Sequence, residues 1–306
     1  MKELHVIFGS GQIGTRLAER LLAAGKQVRV LSRNPKPPKG ADKASVDARD
    51  KAAAAKAAEG ATVIYDTMNP PYNEWKTELL PMGAGSLHAA EVTGAKLVAL
   101  DCLYMYEPSD HMSETSPMWP PSKKGQLRKE LSELRMASKA KVAIVRASDF
   151  FGSNLAAAWF GDRFFQRAFA GKTTECLGDP DQPHSYTYAE DVVTALVQLG
   201  AVEETGIWHV PTLPAMTSRE LAAKIGQALN LLITIKQMPP LVVRMAGVFV
   251  PFMRELPEMR YQWEQPFVID DQKYRARFGT EPTPLAQQIA ETTAWAKRTF
   301  GQKHAA

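Results

Sequence analysis

Cysteine is nearly absent from this chain of 306 residues, in which only Cys102 and Cys176 occur. Two cysteines cannot form the disulfide framework of a small secreted domain, and their scarcity is typical of a reducing compartment. Neither cysteine belongs to a cluster with the spacing of metal ligands, so no metal site is predicted. We therefore expect a cytoplasmic protein without a bound metal.

An excess of one charge and a long apolar run are also missing. The 37 basic residues nearly balance the 33 acidic ones, which leaves a formal net charge of +4 and gives no indication of nucleic-acid binding. The first strand-like run, Leu4–Phe8, leads straight into glycines without the pattern of a signal peptide. The most apolar later stretch, 239–253, contains Arg244 and prolines and is too short to span a bilayer. It is predicted to be a helix that packs on its domain, so contact with membranes is not expected.

What the sequence does contain, up to about residue 150, is a regular alternation of strand-like and helical segments. Such alternation is typical of parallel strands joined by crossover helices. The predicted strands are Glu3–Phe8, Gln27–Leu31, Thr62–Asp66, Lys96–Cys102 and Val142–Arg146. The predicted helices are Gln12–Ala24, Ala48–Ala58, Trp75–Val92 and Gly125–Ser138. This pattern predicts an α/β fold of the Rossmann type, with a doubly wound parallel sheet.

The alternation loosens after about residue 152, where helices are separated by shorter strands. The helices predicted there are Ala189–Leu199, Ser218–Leu229 and Pro284–Phe300. We therefore predict a Rossmann domain over 1–152 and a smaller C-terminal α/β cap over 153–306. The cap is expected to bind the substrate mainly, with some of its segments returning to the Rossmann domain.

A glycine-rich turn between the first predicted strand and the first predicted helix indicates what the Rossmann domain binds. Its residues are Gly9, Ser10, Gly11, Gln12, Ile13 and Gly14, a G-x-G-x-x-G pattern. In this context Gly9 permits the tight turn, Gly11 lets the backbone approach a pyrophosphate, and Gly14 lets helix and strand pack closely. The helix N-terminus adds unpaired N–H groups and the positive end of the helix dipole. The turn predicts a dinucleotide site.

The end of the second predicted strand indicates which dinucleotide. An NAD site is expected to carry an acidic residue there, on the ribose 2′-hydroxyl, but this strand ends in Ser32 and Arg33. A guanidinium offers a planar fork of donors to a 2′-phosphate, and the Ser32 hydroxyl is a second donor. NADP(H) is therefore predicted in preference to NAD(H). Asp47 either hydrogen-bonds the adenine amino group or caps the helix predicted to begin at Ala48.

The order and spacing of further segments resemble the extended short-chain dehydrogenase/reductase superfamily, which includes NAD-dependent epimerases and dehydratases. These segments are Asp66–Asn69, Leu100–Tyr106, Pro120–Arg128, Val145–Gly152, Gly178–Asp191 and Gly206–Val210. The resemblance spans nearly the whole chain. It implies that Thr67 and Met68 lie beside the cofactor, and that the loop from Asn69 to Tyr72 lies near the nicotinamide ribose.

The sequence departs from that family at its catalytic residues. The family has a serine or threonine at the end of the fifth strand and a Tyr-x-x-x-Lys motif on the next helix. Here the strand ends in Asp101 and Cys102, Lys124 stands at the tyrosine position and Arg128 at the lysine position. Arg128 can hold the nicotinamide ribose, but it stays protonated and cannot pass a proton.

Three residues are therefore candidates for proton transfer, namely Lys124, Tyr104 and Tyr106. The alternative is that no side chain transfers a proton. Asp101 either helps to orient the substrate or is simply a buried, hydrogen-bonded strand end.

The expected substrate is a small molecule. Relatives that act on nucleotide sugars typically carry an arginine near the segment that corresponds to 182–186, and no arginine stands there in this sequence. The aromatic residues of the predicted cap suit an apolar ligand. Candidate substrate contacts are Asn69, Tyr72, Asp149 and His184, although a lone histidine before a strand, such as His184, more often has a structural role.

These residues lead to one main hypothesis and two alternatives. The main hypothesis is an NADP(H)-dependent oxidoreductase that acts on a small carbonyl or alcohol with a non-standard catalytic set. The first alternative is a non-catalytic NADP(H)-binding redox sensor or partner-binding protein. The second is an epimerase or dehydratase that transfers hydride transiently to a tightly held cofactor. The superfamily resemblance implies a monomer or a homodimer.

Overall fold

A computed structural model describes residues 3–301 and divides the chain into two compact units. The first unit comprises the described residues up to Tyr106, together with Met118–Ala147 and Val192–Val210. The second comprises Glu107–Pro117, Ser148–Asp191 and the described residues from Pro211 onward. Each unit is thus assembled from separate stretches of the sequence.

The first unit is built on a seven-stranded sheet in which all neighbouring strands are parallel. Its strands are β1 Leu4–Phe8, β2 Gln27–Ser32, β3 Asp42–Ser45, β4 Ala61–Asp66, β5 Lys96–Asp101, β6 Val142–Arg146 and β10 Gly206–His209. Their spatial order is β10-β6-β5-β4-β1-β2-β3. The chain therefore winds outward from β1 through β2 and β3 and then returns to β4 on the other side. The predicted doubly wound Rossmann fold is confirmed.

Helices pack against this sheet, most of them through apolar side chains. They are α1 Gln12–Ala23, α2 Lys51–Ala57, α3 Trp75–Thr93, α4 Lys123–Met136 and most of α6 Ala189–Gly200, and a 3-10 turn at Tyr72–Glu74 precedes α3. In α1 the buried residues Ile13, Leu17 and Leu21 recur at helical spacing, whereas the buried side of α4 is largely polar and charged. Strand residues such as Val6, Ile64 and Leu97 are fully buried in a hydrophobic core cluster of this unit.

Three elements differ from the sequence predictions. Strand β3 is short and mostly exposed, so it lacks the apolar run by which the other strands are found. Helix α2 begins at Lys51 rather than Ala48, because the Asp50 side chain accepts a hydrogen bond from the Ala53 N–H and caps it. Helix α4 likewise begins two residues early, because Ser122 caps it through the Gly125 N–H.

The second unit contains short strands and six helices in its described residues. The strands are β7 Asp149–Phe151, β8 Thr174–Cys176, β9 Tyr186–Tyr188 and β11 Ile235–Gln237. The helices are α5 Asp162–Phe169, α7 Ser218–Leu229, α8 Pro240–Phe249, α9 Pro251–Glu255, α10 Gln272–Phe278 and α11 Leu285–Phe300, and a 3-10 helix covers Pro257–Trp263. Strands β7 and β9 pair in parallel, as do β8 and β11. An aromatic core that includes Phe151, Phe160 and Phe165 joins these elements.

The apolar stretch 239–253 forms two helices rather than the single predicted one. The break falls at Val250, because a residue before proline is disfavoured in the helical region and Pro251 follows. Val243 packs in a cluster with Met238 and Leu256, so part of the segment does pack on its unit as predicted. Among the described helices, none is long and apolar enough to cross a membrane.

Candidate active site

The glycine turn at the end of β1 has the backbone geometry that its motif predicts. Gly9 adopts a φ of +110°, a conformation that side chains disfavour. A Cβ atom on Gly14 would lie 2.1 Å from the Gly9 carbonyl oxygen, so only glycine lets α1 start this close to the turn. A Cβ atom on Gly11 would meet nothing within 4 Å. The turn therefore leaves open space at the one glycine whose backbone is expected to face a pyrophosphate.

Side chains from neighbouring strands surround this turn. The Thr67 hydroxyl, just after β4, donates to the Phe8 carbonyl oxygen over 3.1 Å, and a Cβ atom on Gly9 would approach that hydroxyl to 2.8 Å. The Ser10 and Ser32 hydroxyl oxygens are 3.0 Å apart, which joins the turn to the end of β2. Because parallel strands end at one edge of the sheet, these residues lie together where the winding reverses, the usual place of a ligand in this fold.

The Arg33 side chain is accessible to solvent and also has an acidic neighbour. It is 56% exposed, and Nη1 lies 4.0 Å from Glu78 Oε2. This carboxylate lies on α3, far from Arg33 in the sequence, and was not predicted. Arg49 donates to Glu78 Oε1 over 2.8 Å and also binds Asp47. Two arginines and two acids therefore meet near the end of β2, and of these four residues only Arg33 and Asp47 were predicted from the sequence.

Asp47 does not cap α2, so the capping alternative is wrong, since Asp50 occupies that position. Instead, both Asp47 carboxylate oxygens accept hydrogen bonds from Arg49. This pairing lowers the pKa of Asp47 to about 2. Its predicted contact with the adenine stays a prediction.

Four buried charged residues form a row beside the candidate catalytic residues, in the order Asp66, Arg135, Asp101 and Arg128. Arg135 Nη2 donates to Asp66 Oδ2 over 2.7 Å, and Arg135 Nη1 lies 3.8 Å from Asp101 Oδ2. Asp101 Oδ1 in turn accepts a hydrogen bond from Arg128 Nη1 over 3.2 Å. Buried charges are tolerated only when they are paired in this way. The row explains why an aspartate ends β5, and it favours the structural of the two roles predicted for Asp101.

Arg128 links that row to the surface of the unit. Its Nη2 donates to Asn69 Oδ1 over 2.8 Å, and its guanidinium carbon lies 4.3 Å from the centre of the Trp75 ring. The Trp75 indole N–H is held by the Pro70 carbonyl oxygen at 2.8 Å. Asn69 is exposed while Arg128 is buried, so the amide stands between the arginine and solvent.

Two phenols and an ammonium group lie beside Arg128. The Tyr72 and Tyr104 hydroxyl oxygens are 2.6 Å apart, and Lys124 Nζ lies 5.4 Å from the centre of the Tyr72 ring. Both tyrosines are half-buried, whereas Lys124 is buried. Helix α4 can bring Lys124 here because Gly125 lies against the Tyr104 carbonyl oxygen, where a Cβ atom would come within 2.2 Å. The arrangement gathers three groups that can carry a proton at one edge of the sheet.

Tyr106, the remaining candidate for proton transfer, lies deeper than Tyr104. Tyr106 is fully buried, its hydroxyl accepts a hydrogen bond from Arg146, and the same oxygen lies 3.1 Å from His209 Nε2. These contacts favour a structural role for Tyr106, and we do not propose it as the proton donor. Burial raises the pKa of the Cys102 thiol to about 12, so this cysteine stays protonated.

Asp149 and His184 belong to the second unit. His184 Nε2 lies 2.7 Å from Asp149 Oδ2, and Nδ1 lies 3.2 Å from the Gln262 carbonyl oxygen. The fully buried imidazole also stacks on Trp263 and Phe267. Both ring nitrogens therefore have partners, as the structural alternative for His184 requires.

Comparison with known proteins places this geometry in a family. Residues 6–208, more than half of the chain, match the NAD dependent epimerase/dehydratase family. The chain belongs to this family. The resemblance inferred from the sequence is thereby confirmed, as is the prediction of an enzyme, and the cofactor class is a nicotinamide dinucleotide. Among curated protein sequences, none matches the chain significantly.

Solved structures with the same fold include several sugar-nucleotide enzymes. MoeE5 in complex with UDP-glucuronic acid and NAD superposes with a TM-score of 0.79 at 18% identity, over 96% of this chain and 99% of that one. For Thermus thermophilus UDP-glucose 4-epimerase with NAD the values are 0.76, 20%, 97% and 99%. For the Streptomyces venezuelae dTDP-glucose 4,6-dehydratase DesIV with NAD they are 0.78, 17%, 98% and 98%. Identities this low establish a shared fold.

Proposed function

We propose that this chain is an NADP(H)-dependent oxidoreductase that interconverts a small carbonyl compound and its alcohol. The observation that carries the proposal is the Tyr72–Tyr104 hydroxyl pair beside Lys124. This hydroxyl pair lies at the same edge of the sheet as the glycine turn. A reductase needs a proton donor next to its nicotinamide, and here two phenols supply one where the family tyrosine is replaced.

The residues at the turn fit a dinucleotide. Gly11 has no neighbour that a pyrophosphate would displace, while Gly9 and Gly14 are held close to Thr67 and to each other. The first turn of α1 has no side-chain cap, so its N–H groups can bind phosphate oxygens. The bound cofactor supplies the hydride. The turn and the helix N-terminus fix the position of the cofactor.

The chain's own residues move the proton. In the reducing direction the carbonyl carbon gains a hydride and its oxygen must gain a proton. One phenol of the Tyr72–Tyr104 pair donates that proton, and its partner holds it in place through the 2.6 Å hydrogen bond. The Lys124 ammonium, 5.4 Å from the centre of the Tyr72 ring, stabilises the resulting phenolate through its charge, and the half-buried phenolate regains its proton from solvent. Arg128 keeps its charge and orients Asn69 toward the ligand.

We further propose NADP(H) rather than NAD(H). Arg33 is more than half exposed, and its guanidinium suits a 2′-phosphate. Ser32 adds a hydroxyl at the same strand end. The three structural neighbours described above were solved with NAD, so this preference is a distinguishing feature to be measured.

The decisive measurement is titration of the purified chain with NADPH, NADP+, NADH and NAD+ by calorimetry. Arg33→Ala should weaken NADPH binding about tenfold or more, as expected for a lost charged hydrogen bond, and should leave NADH binding unchanged. The matched control is Arg163→Ala, an arginine of the second unit with a 72% exposed side chain. If none of the four nucleotides binds, the whole proposal fails.

Turnover of a carbonyl and alcohol panel then tests the proton donor. Tyr72→Phe and Tyr104→Phe should each lower kcat, and together by about 10² or more, with NADPH affinity preserved. A double variant that turns over at the normal rate would exclude the phenols. Cofactor binding without turnover of any substrate would instead favour the non-catalytic redox sensor.

A second candidate function is a sugar-nucleotide epimerase or dehydratase, which the family match favours. In that case the cofactor is reduced and reoxidised within one catalytic cycle and need not leave. NAD(P) that remains bound through purification, together with conversion of a UDP- or dTDP-sugar without net change in NAD(P)H, would establish it. Free cofactor exchange with net NADPH consumption would establish the reductase.

A further inference from the structure

Helix α8 presents an apolar face to solvent. Leu241, Val242, Met245, Val248 and Phe249 are 65%, 46%, 55%, 63% and 86% exposed. With 3.6 residues per turn, these positions fall within an arc of about 120° on one side of the helix. This stripe, Leu241–Val242–Met245–Val248–Phe249, has the spacing of a core-facing surface. Its members point away from the face on which Val243 and Gly247 are buried.

The stripe is held in a fixed orientation. Opposite it, Val243 packs with Leu177, Met238 and Leu256. Arg254 of α9 donates to the carbonyl oxygens of Gly247 and Val248 at the end of α8. Its side chain thus satisfies carbonyl groups that a helix end leaves unpaired. The contacts of Val243 and Arg254 hold the opposite side of α8 against its unit, so the apolar stripe faces solvent.

The sequence around the stripe is basic. From residue 221 to residue 254 it contains Lys224, Lys236, Arg244 and Arg254, and the nearest acidic residues along the chain are Glu220 and Glu255. Arg244 lies on α8 beside the stripe and is itself exposed. Exposed apolar side chains beside an exposed arginine complement a surface that is apolar inside and anionic at its rim.

A second protein is a poorer match for the stripe than a membrane. A ten-residue helix is about 15 Å long, so one stripe offers a few hundred square ångströms, against the roughly 800 Å² that each partner of a stable complex buries. Insertion into a lipid surface requires neither a large area nor a matched shape.

We propose that α8 docks the chain on anionic lipid membranes, with the Leu241–Phe249 stripe inserted at the level of the headgroups. The chain would lie on the membrane without spanning it. This proposal revises the expectation that the chain does not contact membranes, and it does not depend on the proposed oxidoreductase activity.

Flotation of the full chain with lipid vesicles tests the proposal. Vesicles of phosphatidylcholine mixed with phosphatidylserine should carry the protein upward, and vesicles of phosphatidylcholine alone should carry less of it. Leu241→Ser combined with Phe249→Ser should weaken binding roughly tenfold for each side chain, and Arg244→Gln should reduce only the preference for phosphatidylserine. The matched control is Leu232→Ser, because Leu232 is 94% exposed and lies outside the stripe.

Three results would overturn the proposal. One is the absence of flotation with either vesicle, and another is flotation that the double variant does not alter. The third is a concentration-dependent dimer in gel filtration that the double variant abolishes while no lipid is bound, which would assign the stripe to a second copy. Unfolding temperatures of all variants should match that of the unmodified chain, and if the double variant unfolds, Phe249→Ser alone replaces it.

Discussion

Arg128 illustrates what a buried guanidinium requires. The residue, which the resemblance places at the family's lysine position, is buried and therefore needs carboxylate and amide partners, which Asp101 and Asn69 supply. Lysine would present a single point charge, whereas arginine spans two acceptors with a planar fork. The sequence identified the exchange, but the compensating Arg135–Asp66 pair comes from distant positions and could not be predicted from it.

Removing one member of the buried row should be costly. Arg135→Met leaves Asp66 buried without its ion pair, so we expect a loss of about 3–5 kcal/mol in the free energy of unfolding. The change is measured by chemical denaturation followed by circular dichroism. Arg163→Met is the control, because its exposed pair with Glu175 should contribute no more than about 1 kcal/mol. Equal effects of the two variants would contradict the structural importance of the row.

Substitutions of two glycines in the glycine turn should distinguish an effect on stability from an effect on NADPH binding. Gly14→Ala places a methyl group against the Gly9 carbonyl oxygen and should lower the unfolding temperature as well as the NADPH affinity. Gly11→Ala meets no atom of the chain, so it should preserve the unfolding temperature and weaken only NADPH binding. Scanning calorimetry with and without NADPH measures both. Unchanged affinity in Gly11→Ala would show that no pyrophosphate approaches this residue.

At the scale of elements, burial decides what the sequence reveals. Strands β1, β4, β5 and β6 are buried and apolar, and their predicted bounds agree with the structure to within one residue. Strand β3 reads Asp-Lys-Ala-Ser at the exposed sheet edge, so only its hydrogen bonds to β2 define it. The predicted starts of α2 and α4 differ from the observed ones for a similar reason. The caps Asp50 and Ser122 act through single hydrogen bonds, which the periodicity of apolar residues does not reveal.

Helix α7 offers a direct measure of such a cap. Thr217 accepts a hydrogen bond from the Glu220 N–H while the Glu220 carboxylate accepts one from the Thr217 N–H, a complete capping box. Thr217→Ala should lower the free energy of unfolding by about 1 kcal/mol, as measured by chemical denaturation. Thr299→Ala makes the same change in the last turns of α11, where threonine caps no N-terminus, and should have little effect. A comparable loss in both variants would refute the assignment to capping.

For the whole molecule, the sequence predicted the fold better than it predicted the surfaces. The glycine turn, the crossover pattern and the end of β2 are local signals, and they were sufficient for a Rossmann unit. The approach of Glu78 and Arg49 to Arg33 and the pairing of Tyr72 with Tyr104 join residues that are far apart in sequence. The outward orientation of the α8 stripe depends on which side of an apolar helix is anchored, and periodicity alone cannot distinguish the two sides.

The pH dependence of the unfolding temperature should reflect a buried histidine in the first strand, β1. His5 lies in β1 with its Nδ1 atom 3.2 Å from the Tyr65 hydroxyl oxygen. Burial, assisted by the charge of Lys26, lowers the pKa of His5 below its ordinary value of 6.5. As the pH falls below that value, the unfolded chain takes up a proton that the folded chain still excludes, so His5 reduces stability in acid. We therefore expect the unfolding temperature to fall between about pH 7.5 and about pH 5.5.

His5→Gln removes this proton uptake while keeping a polar side chain, so its unfolding temperature should fall less over the same range. His88→Gln serves as the control, because it makes the same change at a histidine of α3 whose side chain is 39% exposed. Asp271 acts in the opposite direction, since burial raises its pKa and its contribution weakens stability as the pH rises. A steeper acid loss in His5→Gln than in the unmodified chain would show that the folded state binds the proton more tightly than the unfolded state does, against the burial argument.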